Sequence, residues 1–208
     1  MKLKVCGMKY NSEAVAELRP DYLGFIFWEP SSRFFDRSMP QLPDSIKKIG
    51  VFVDAPIAQV QRTITDMGLY GVQLHGSETV DYCREVRKSG VKVIKVFSIK
   101  DDFDFDTLGP YEGVCDYYLF DTKGRLPGGN GYRFDWKVLN DYPSTKPYFL
   151  SGGIGLEEGE ALKGFLASDA ARYCHAIDVN SRFETEPGLK DTEKLNDFKK
   201  LLENELSR

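Results

Sequence analysis

The feature that most constrains this chain is a beat of eight short runs of β-branched and apolar residues. They lie at residues 2–8, 21–27, 48–54, 70–75, 91–97, 115–121, 147–151 and 175–179. Most are separated by stretches of helical periodicity. Ile57, Val60, Ile64 and Met67 mark one helix face, with Pro56 in the first turn and Asp54 or Ala55 at the cap. Ala14, Val15 and Leu18 repeat the pattern after Asn11 and stop at Pro20. Leu195, Phe198, Leu201, Leu202 and Leu206 stripe a last helix that Asp191 or Thr192 would cap. Residues 101–107 are short and acidic and residues 156–163 carry Gly159, so stunted helices are expected there. Strands alternating with helical crossovers build a parallel sheet. Eight such units in 208 residues fit an α/β chain folded as a single (β/α)8 TIM barrel with short loops. An open doubly wound sheet commonly has fewer strands. No composition break or linker divides residues 1–208, which predicts one domain.

Composition removes several function classes. With 28 Lys+Arg against 32 Asp+Glu and a net charge of -4, there is no basic field to hold nucleic acid. No apolar run reaches the ~18 residues of a membrane span. The stretch Met1-Lys2-Leu3-Lys4-Val5-Cys6 is too polar for a signal peptide, so a cytoplasmic protein is expected. Cys6, Cys83, Cys115 and Cys174 are not spaced as a zinc knuckle or a redox pair, which predicts free thiols. Two histidines rule out a multi-histidine metal site, and Asp121 with Asp178 are too few acids for magnesium.

A barrel of this kind carries its chemistry at the C-terminal ends of its strands. Those ends read Cys6-Gly7-Met8, Gln73-Leu74-His75-Gly76, Asp121-Thr122-Lys123-Gly124, Ser151-Gly152-Gly153-Ile154-Gly155 and Asp178-Val179-Asn180-Ser181. Each alone also fits a turn. Five such ends on one face point to a site. By the period of two, Lys4 lies one layer below Cys6, and Gln73 shares a face with His75. A cation beneath Cys6 would lower its thiol pKa, although a buried packing role also fits that residue. The run after strand seven has neither the P-loop lysine nor dinucleotide spacing. Its backbone amides, with donors from Asn180 and Ser181, suit a phosphate cradle; a tight turn needing positive φ is the other reading. Arg33 offers a planar fork for a carboxylate, or is simply solvated. Residues 127–131 read as a lid or a plain connector.

The ordered motifs resemble one family, phosphoribosylanthranilate isomerase. They are Lys4-Val5-Cys6-Gly7-Met8, Gly24-Phe25-Ile26-Phe27 with Ser32-Arg33, Gly50-Val51-Phe52-Val53, Gln73-Leu74-His75-Gly76 and Phe120-Asp121-Thr122. Gly128-Gly129-Asn130-Gly131, Phe134-Asp135-Trp136, Leu150-Ser151-Gly152-Gly153, Asp178-Val179-Asn180-Ser181 and Pro187-Gly188-Leu189-Lys190-Asp191 complete them, from residue 4 to residue 191. The resemblance implies an Amadori rearrangement of N-(5-phosphoribosyl)anthranilate in tryptophan biosynthesis, with no cofactor. It implies Cys6 as general base, Asp121 as general acid and Arg33 on the anthranilate carboxylate. Gly152, Gly153, Asp178 and Ser181 would surround the phosphate, and Gln73, His75, Gly129 and Asn180 would join them in binding substrate. The implied partner is this small molecule, for a monomer or homodimer. The chain departs from the family at Asp178-Val179-Asn180-Ser181-Arg182-Phe183-Glu184, where Arg182 replaces a glycine and must avoid strain at positive φ.

Three competing readings follow from the same residues. A phosphosugar lyase of this fold would use Lys95, at the end of strand five, as a Schiff-base lysine. A non-catalytic barrel would bind a phosphorylated metabolite. An aminoaldose isomerase of histidine biosynthesis would want an acid where Cys6 stands.

Overall fold

The computed structural model describes residues 1–100, 102–122 and 134–206. Eight parallel strands close on themselves in sequence order. They are β1 (Lys2–Val5), β2 (Tyr22–Ile26), β3 (Lys47–Phe52), β4 (Gly71–Leu74), β5 (Lys92–Ile99), β6 (Tyr117–Thr122), β7 (Tyr148–Leu150) and β8 (Cys174–Val179). The seam between β1 and β8 sets Lys4 opposite Asp178. All eight expected strands are present within a few residues of their sequence bounds.

The helices are less regular than eight units imply. α1 (Ser12–Ala16), α2 (Ile57–Met67), α3 (Val80–Arg87), α4 (Gly159–Leu166) and α5 (Thr192–Leu206) are α-helical. Between β5 and β6, and again between β6 and β7, 3-10 turns stand in their place: Phe105–Tyr111, with Pro110 inside it, and Trp136–Asp141. The stunted helix expected at 101–107 thus forms further along. The segment from 156 is a 3-10 turn, Leu156–Glu158, running into α4, so it is longer than expected. The expectation of short loops fails between β2 and β3. Residues 27–46 contain no helix, and Pro30, Pro40 and Pro43 explain why: each removes a backbone donor and biases its predecessor away from helix.

Helix starts also differ in detail. α2 is capped by Pro56 without a side-chain bond. Asp54 instead sits at φ 48° and accepts from the Ser77 amide at 2.6 Å. Asn11 precedes α1 but spends its side chain on Lys190, donating to its carbonyl at 2.8 Å and accepting from its amide at 3.0 Å. Asp191 does cap α5, taking the Lys194 amide at 3.0 Å. After β8 comes a hairpin absent from the sequence reading, β9 (Glu184–Glu186) and β10 (Leu189–Lys190).

Apolar residues divide into two bodies, as they must in a barrel whose side chains alternate inward and outward. The larger body fills the space between strands and surrounding elements. The smaller comprises Tyr22, Ile49, Ile94, Val96, Leu119, Phe149 and Ala176 and fills the interior. One extra residue in β8, between the partners of Tyr148 and Phe149, turns His175 inward at the floor. There it meets the Tyr22 hydroxyl at 2.7 Å and the rings of Tyr117 and Phe149. Burial, aided by the Lys2 charge, lowers the His175 pKa from 6.5 to about 4.

This histidine makes the barrel floor acid-sensitive. Its folded pKa lies below its unfolded one, so the unfolded chain binds more protons as pH drops through 6.5 toward 4. Stability present above that window is lost within it. The denaturation midpoint in urea should fall from pH 7 to pH 4.5, and fall less in His175→Gln. Parallel falls in the two proteins would remove His175 from the account.

Candidate active site

The inner core continues upward by the strand period. Two residues beyond Leu119 comes Asp121, beyond Phe149 comes Ser151, and beyond Ala176 come Asp178 and then Asn180. By the same period Lys4 leads to Cys6 and Gln73 to His75. The apolar floor therefore gives way to polar groups at the C-terminal mouth. One cavity there brings together Cys6, Arg33, Gln73, His75, Asp121, Gly152, Gly153, Asp178, Asn180 and Ser181. Each residue expected to serve the isomerase reaction, within the described residues, lines it. Gly129 lies outside the described residues, as do residues 127–131 as a whole.

Lys4 organises the cavity floor. It is fully buried and donates to Asp178 Oδ2 at 2.7 Å and Gln73 Oε1 at 2.8 Å. Burial alone would discharge it, but Asp178 and Cys6 outweigh burial and raise its pKa. The second Asp178 oxygen, Oδ1, is buried and has no hydrogen-bond partner among the described residues. Above Lys4 sits Cys6, and Gly24 on β2 makes room for it: a Cβ at that glycine would lie 2.8 Å from Sγ. Burial pushes the Cys6 thiol above its ordinary value. Lys4 and Lys190 pull it down, and Asp178 pushes it up. The expectation that Lys4 would leave the thiol with a depressed pKa is therefore corrected: desolvation outweighs the lysine.

His75 extends the floor toward β6. Its Nε2 lies 3.2 Å from Asp121 Oδ2, and its Nδ1 lies 3.2 Å from Gln73 Nε2. Asp121 is itself buried.

Arg33 is not solvated. Its Nε and Nη2 grip Glu184 at 2.7 to 2.9 Å. Glu184 also accepts from Lys190 Nζ at 2.7 Å, and Lys190 donates to Asn180 Oδ1 at 2.7 Å. Burial would raise the Glu184 pKa, yet Arg33 and Lys190 hold it below the usual carboxylate range. Sequence reasoning assigned no site role to Glu184 or Lys190. Both sit on the β9–β10 hairpin, and its signal was available: Pro187-Gly188 between two polar runs marks a turn. Trp28 was also missed; it lines the mouth beside Ile26 and Val51.

The glycines after β7 adopt φ values of 97° at Gly152 and 66° at Gly153. A Cβ on Gly152 would stand 2.6 Å from the Thr122 amide nitrogen, so both backbone conformation and space demand glycine. The helical turn behind is capped from within, because Glu158 Oε2 accepts from the Gly155 amide at 2.8 Å. Arg182 occupies a one-turn 3-10 helix, Ser181–Phe183, without a left-handed φ, so it carries none of the expected strain. Lys95 does not face the cavity. It is buried on the outer side of β5, where it donates to the carbonyl of Gly76 at 2.7 Å and to Glu78 Oε2 at 3.0 Å. The lyase reading loses its lysine.

A thiol and a carboxyl on different strands, an arginine and a glycine cradle share the mouth of one closed barrel, which defines a (β/α)8-barrel enzyme. Comparison with known proteins narrows the class. The family model described as N-(5'phosphoribosyl)anthranilate (PRA) isomerase matches residues 3–201. A relative named N-(5'-phosphoribosyl)anthranilate isomerase, from Parabacteroides distasonis, is 43% identical over 206 residues, covering 95% of this chain and 91% of its own. The crystal structure of phosphoribosyl anthranilate isomerase from Thermotoga maritima superposes with a TM-score of 0.84 at 28% identity, covering 98% and 99% of the two chains. Another isomerase, solved with reduced 1-(o-carboxyphenylamino)-1-deoxyribulose 5-phosphate, has a TM-score of 0.80 at 25% identity, covering 98% and 99%. The chain belongs to the N-(5'-phosphoribosyl)anthranilate isomerase family, enzymes of tryptophan biosynthesis that perform an intramolecular aldose–ketose rearrangement. Among the described residues, no helix is long and apolar enough to cross a membrane.

The balance of charges around Cys6 is directly measurable. Removing the Lys4 ammonium takes away the largest influence that lowers the thiol pKa. Alkylation of Cys6, followed by mass spectrometry across pH, should shift to more alkaline pH in Lys4→Met. An unchanged profile would show that Lys4 does not act on the thiol.

Proposed function

We propose that this chain converts N-(5'-phosphoribosyl)anthranilate to 1-(2-carboxyphenylamino)-1-deoxyribulose 5-phosphate by paired acid and base, as one domain over residues 1–208 and with no cofactor. The observation that carries the reading is the convergence of Cys6 from β1 and Asp121 from β6 on one cavity that also holds Arg33 and the glycine loop. In the first step Asp121 gives its proton to the furanose ring oxygen. The C1–O bond breaks as the anthranilate nitrogen lone pair forms a C1=N double bond. In the second step Cys6, as the thiolate that Lys4 and Lys190 favour against burial, takes the C2 proton. The C2–H electron pair becomes a C1=C2 bond, and the C=N pair returns to nitrogen. The resulting enol then tautomerises to the ketose.

The binding groups suit the two ends of this substrate. The anthranilate ring fits beside Trp28, Ile26 and Val51, with its carboxylate on the guanidinium edge of Arg33 that Glu184 does not use. The phosphate fits the backbone amides around Gly152, Gly153 and Ser181. Asp178 approaches that end with a buried carboxylate oxygen, Oδ1, that has no hydrogen-bond partner among the described residues. Such an oxygen repels phosphate and accepts from a donor, so we assign it to a sugar hydroxyl. Asn180, held by Lys190, faces the same cavity. A chain that acts on a small metabolite in this way needs no nucleic acid or membrane, and a cytoplasmic setting suits it.

The test is loss of phosphoribosylanthranilate fluorescence, supported by complementation of a tryptophan auxotroph lacking this isomerase. Cys6→Ala and Asp121→Ala should each slow turnover by roughly 10²–10⁴-fold, the range for general acid–base groups. Near-wild-type turnover in either variant refutes its assignment. Failure of the wild-type chain to complement would favour a metabolite-binding barrel.

A further inference from the structure

We propose that His75 is a positioning residue whose neutral Nε2–H tautomer, set by Lys4 through Gln73, determines which oxygen of Asp121 carries the catalytic proton. The inference rests on Asp121 being the general acid. It gives His75 and Gln73 a role other than substrate contact.

The argument follows the donors one at a time. Lys4 is a charged, buried ammonium and can only donate. The Gln73 atom 2.8 Å from it must therefore be the carbonyl Oε1. This fixes the amide and turns its NH2 toward His75, with Nε2 3.2 Å from Nδ1. An amide nitrogen donates and does not accept, so Nδ1 must present a lone pair. A proton on Nδ1 would set two donors against each other. The ring proton is left on Nε2, which lies 3.2 Å from Asp121 Oδ2 and donates to it. With Oδ2 occupied as an acceptor, the acid proton of Asp121 sits on Oδ1, free to meet the sugar ring oxygen. Once it has left, the Nε2–H bond steadies the carboxylate that remains.

The other titratable groups in this region are Asp178 on β8, Lys4 on β1 and Cys6 just after it. Asp178 is saturated on one side by Lys4 at 2.7 Å, so the same ammonium that sets the amide also screens the second carboxylate. The row from Lys4 to Asp121 thus runs from β1 through β4 to β6 beneath the substrate. The base Cys6 stands above one end and the acid forms the other.

The chain has only two histidines, His75 and His175, which makes the ring state readable. The full-length protein carrying His175→Gln is labelled with ring-15N histidine and observed by NMR at pH 7. Nδ1 of His75 should resonate as an unprotonated nitrogen and Nε2 as a protonated one. Gln73→Glu, which turns an acceptor toward Nδ1, should place a proton there. An imidazolium or an Nδ1–H ring before that substitution overturns the proposal, and this readout needs no variant at His75.

Kinetics supply the second arm. His75→Leu should lower kcat by roughly 10- to 100-fold, the scale of a misplaced catalytic group, with KM little changed. His75→Gln, whose amide N–H reaches about the place of Nε2, should recover most of that loss. Equal loss in both variants, or loss confined to KM, overturns the positioning role. Asp121→Ala separates the two readings. If it retains turnover, the acid assignment fails; if it is inactive while His75→Leu turns over normally, the positioning role fails alone.

Discussion

One buried ion pair closes both the barrel and the site. Lys4 and Asp178 are register partners across the β1–β8 seam, and their side chains meet at 2.7 Å on the inner face. Neither charge is stable alone in an apolar interior. Removing one partner of such a pair typically costs about 3–5 kcal/mol, because the other is left desolvated and unpaired. The pair therefore ties the last hydrogen-bonded strand contact to the electrostatics of the catalytic mouth. The row from Gln73 to His75 to Asp121 has its direction because a donor-only group stands at its head.

The same logic explains the second cluster. Arg33, Glu184, Lys190 and Asn180 form a network from the β2 loop to the β9–β10 hairpin. Two cations and one carboxylate leave a local excess of positive charge beside the cavity, although the chain as a whole carries -4. At physiological salt the Debye length is about 8 Å, so a mild net charge hardly reaches an approaching anion. Attraction for a doubly anionic molecule has to be built inside the mouth, where screening is weak. The thiol of Cys6 feels both lysines and still remains above its ordinary pKa, a measure of how dry its surroundings are.

Much of this was legible in the sequence. The eight strands announced themselves through apolar runs, since parallel strands buried on both faces hardly alternate. The cavity residues followed from counting by two along those strands and reading their ends. The missing parts share a physical cause. Three prolines erased the helix between β2 and β3, and proline also broke the pattern near Phe105–Tyr111, where 3-10 geometry replaces α. Glu184 and Lys190 lie beyond the eight-strand beat, on a hairpin whose function depends on contacts with Arg33 far away in sequence. The thiol of Cys6 was misjudged because a neighbouring lysine is visible in sequence and desolvation is not. Lys95 was misassigned by position and by parity: β5 runs on to Ile99, which leaves that lysine in mid-strand, and its neighbours Ile94 and Val96 take the inner face.

The clasp of Asn11 on Lys190 has a consequence for how the molecule comes into being. Both its bonds span 179 residues, and the Lys4–Asp178 pair spans 174. Lys4 and the proposed base Cys6 are synthesised long before Asp178 and Lys190, the charged groups that act on them. Closing so long a loop costs entropy before any contact rewards it. Until β8 pairs with β1, Lys4 lacks its partner Asp178 and Cys6 lacks the surroundings that raise its pKa. The last strand to arrive completes the sheet and, in the same event, gives the first strand its chemistry.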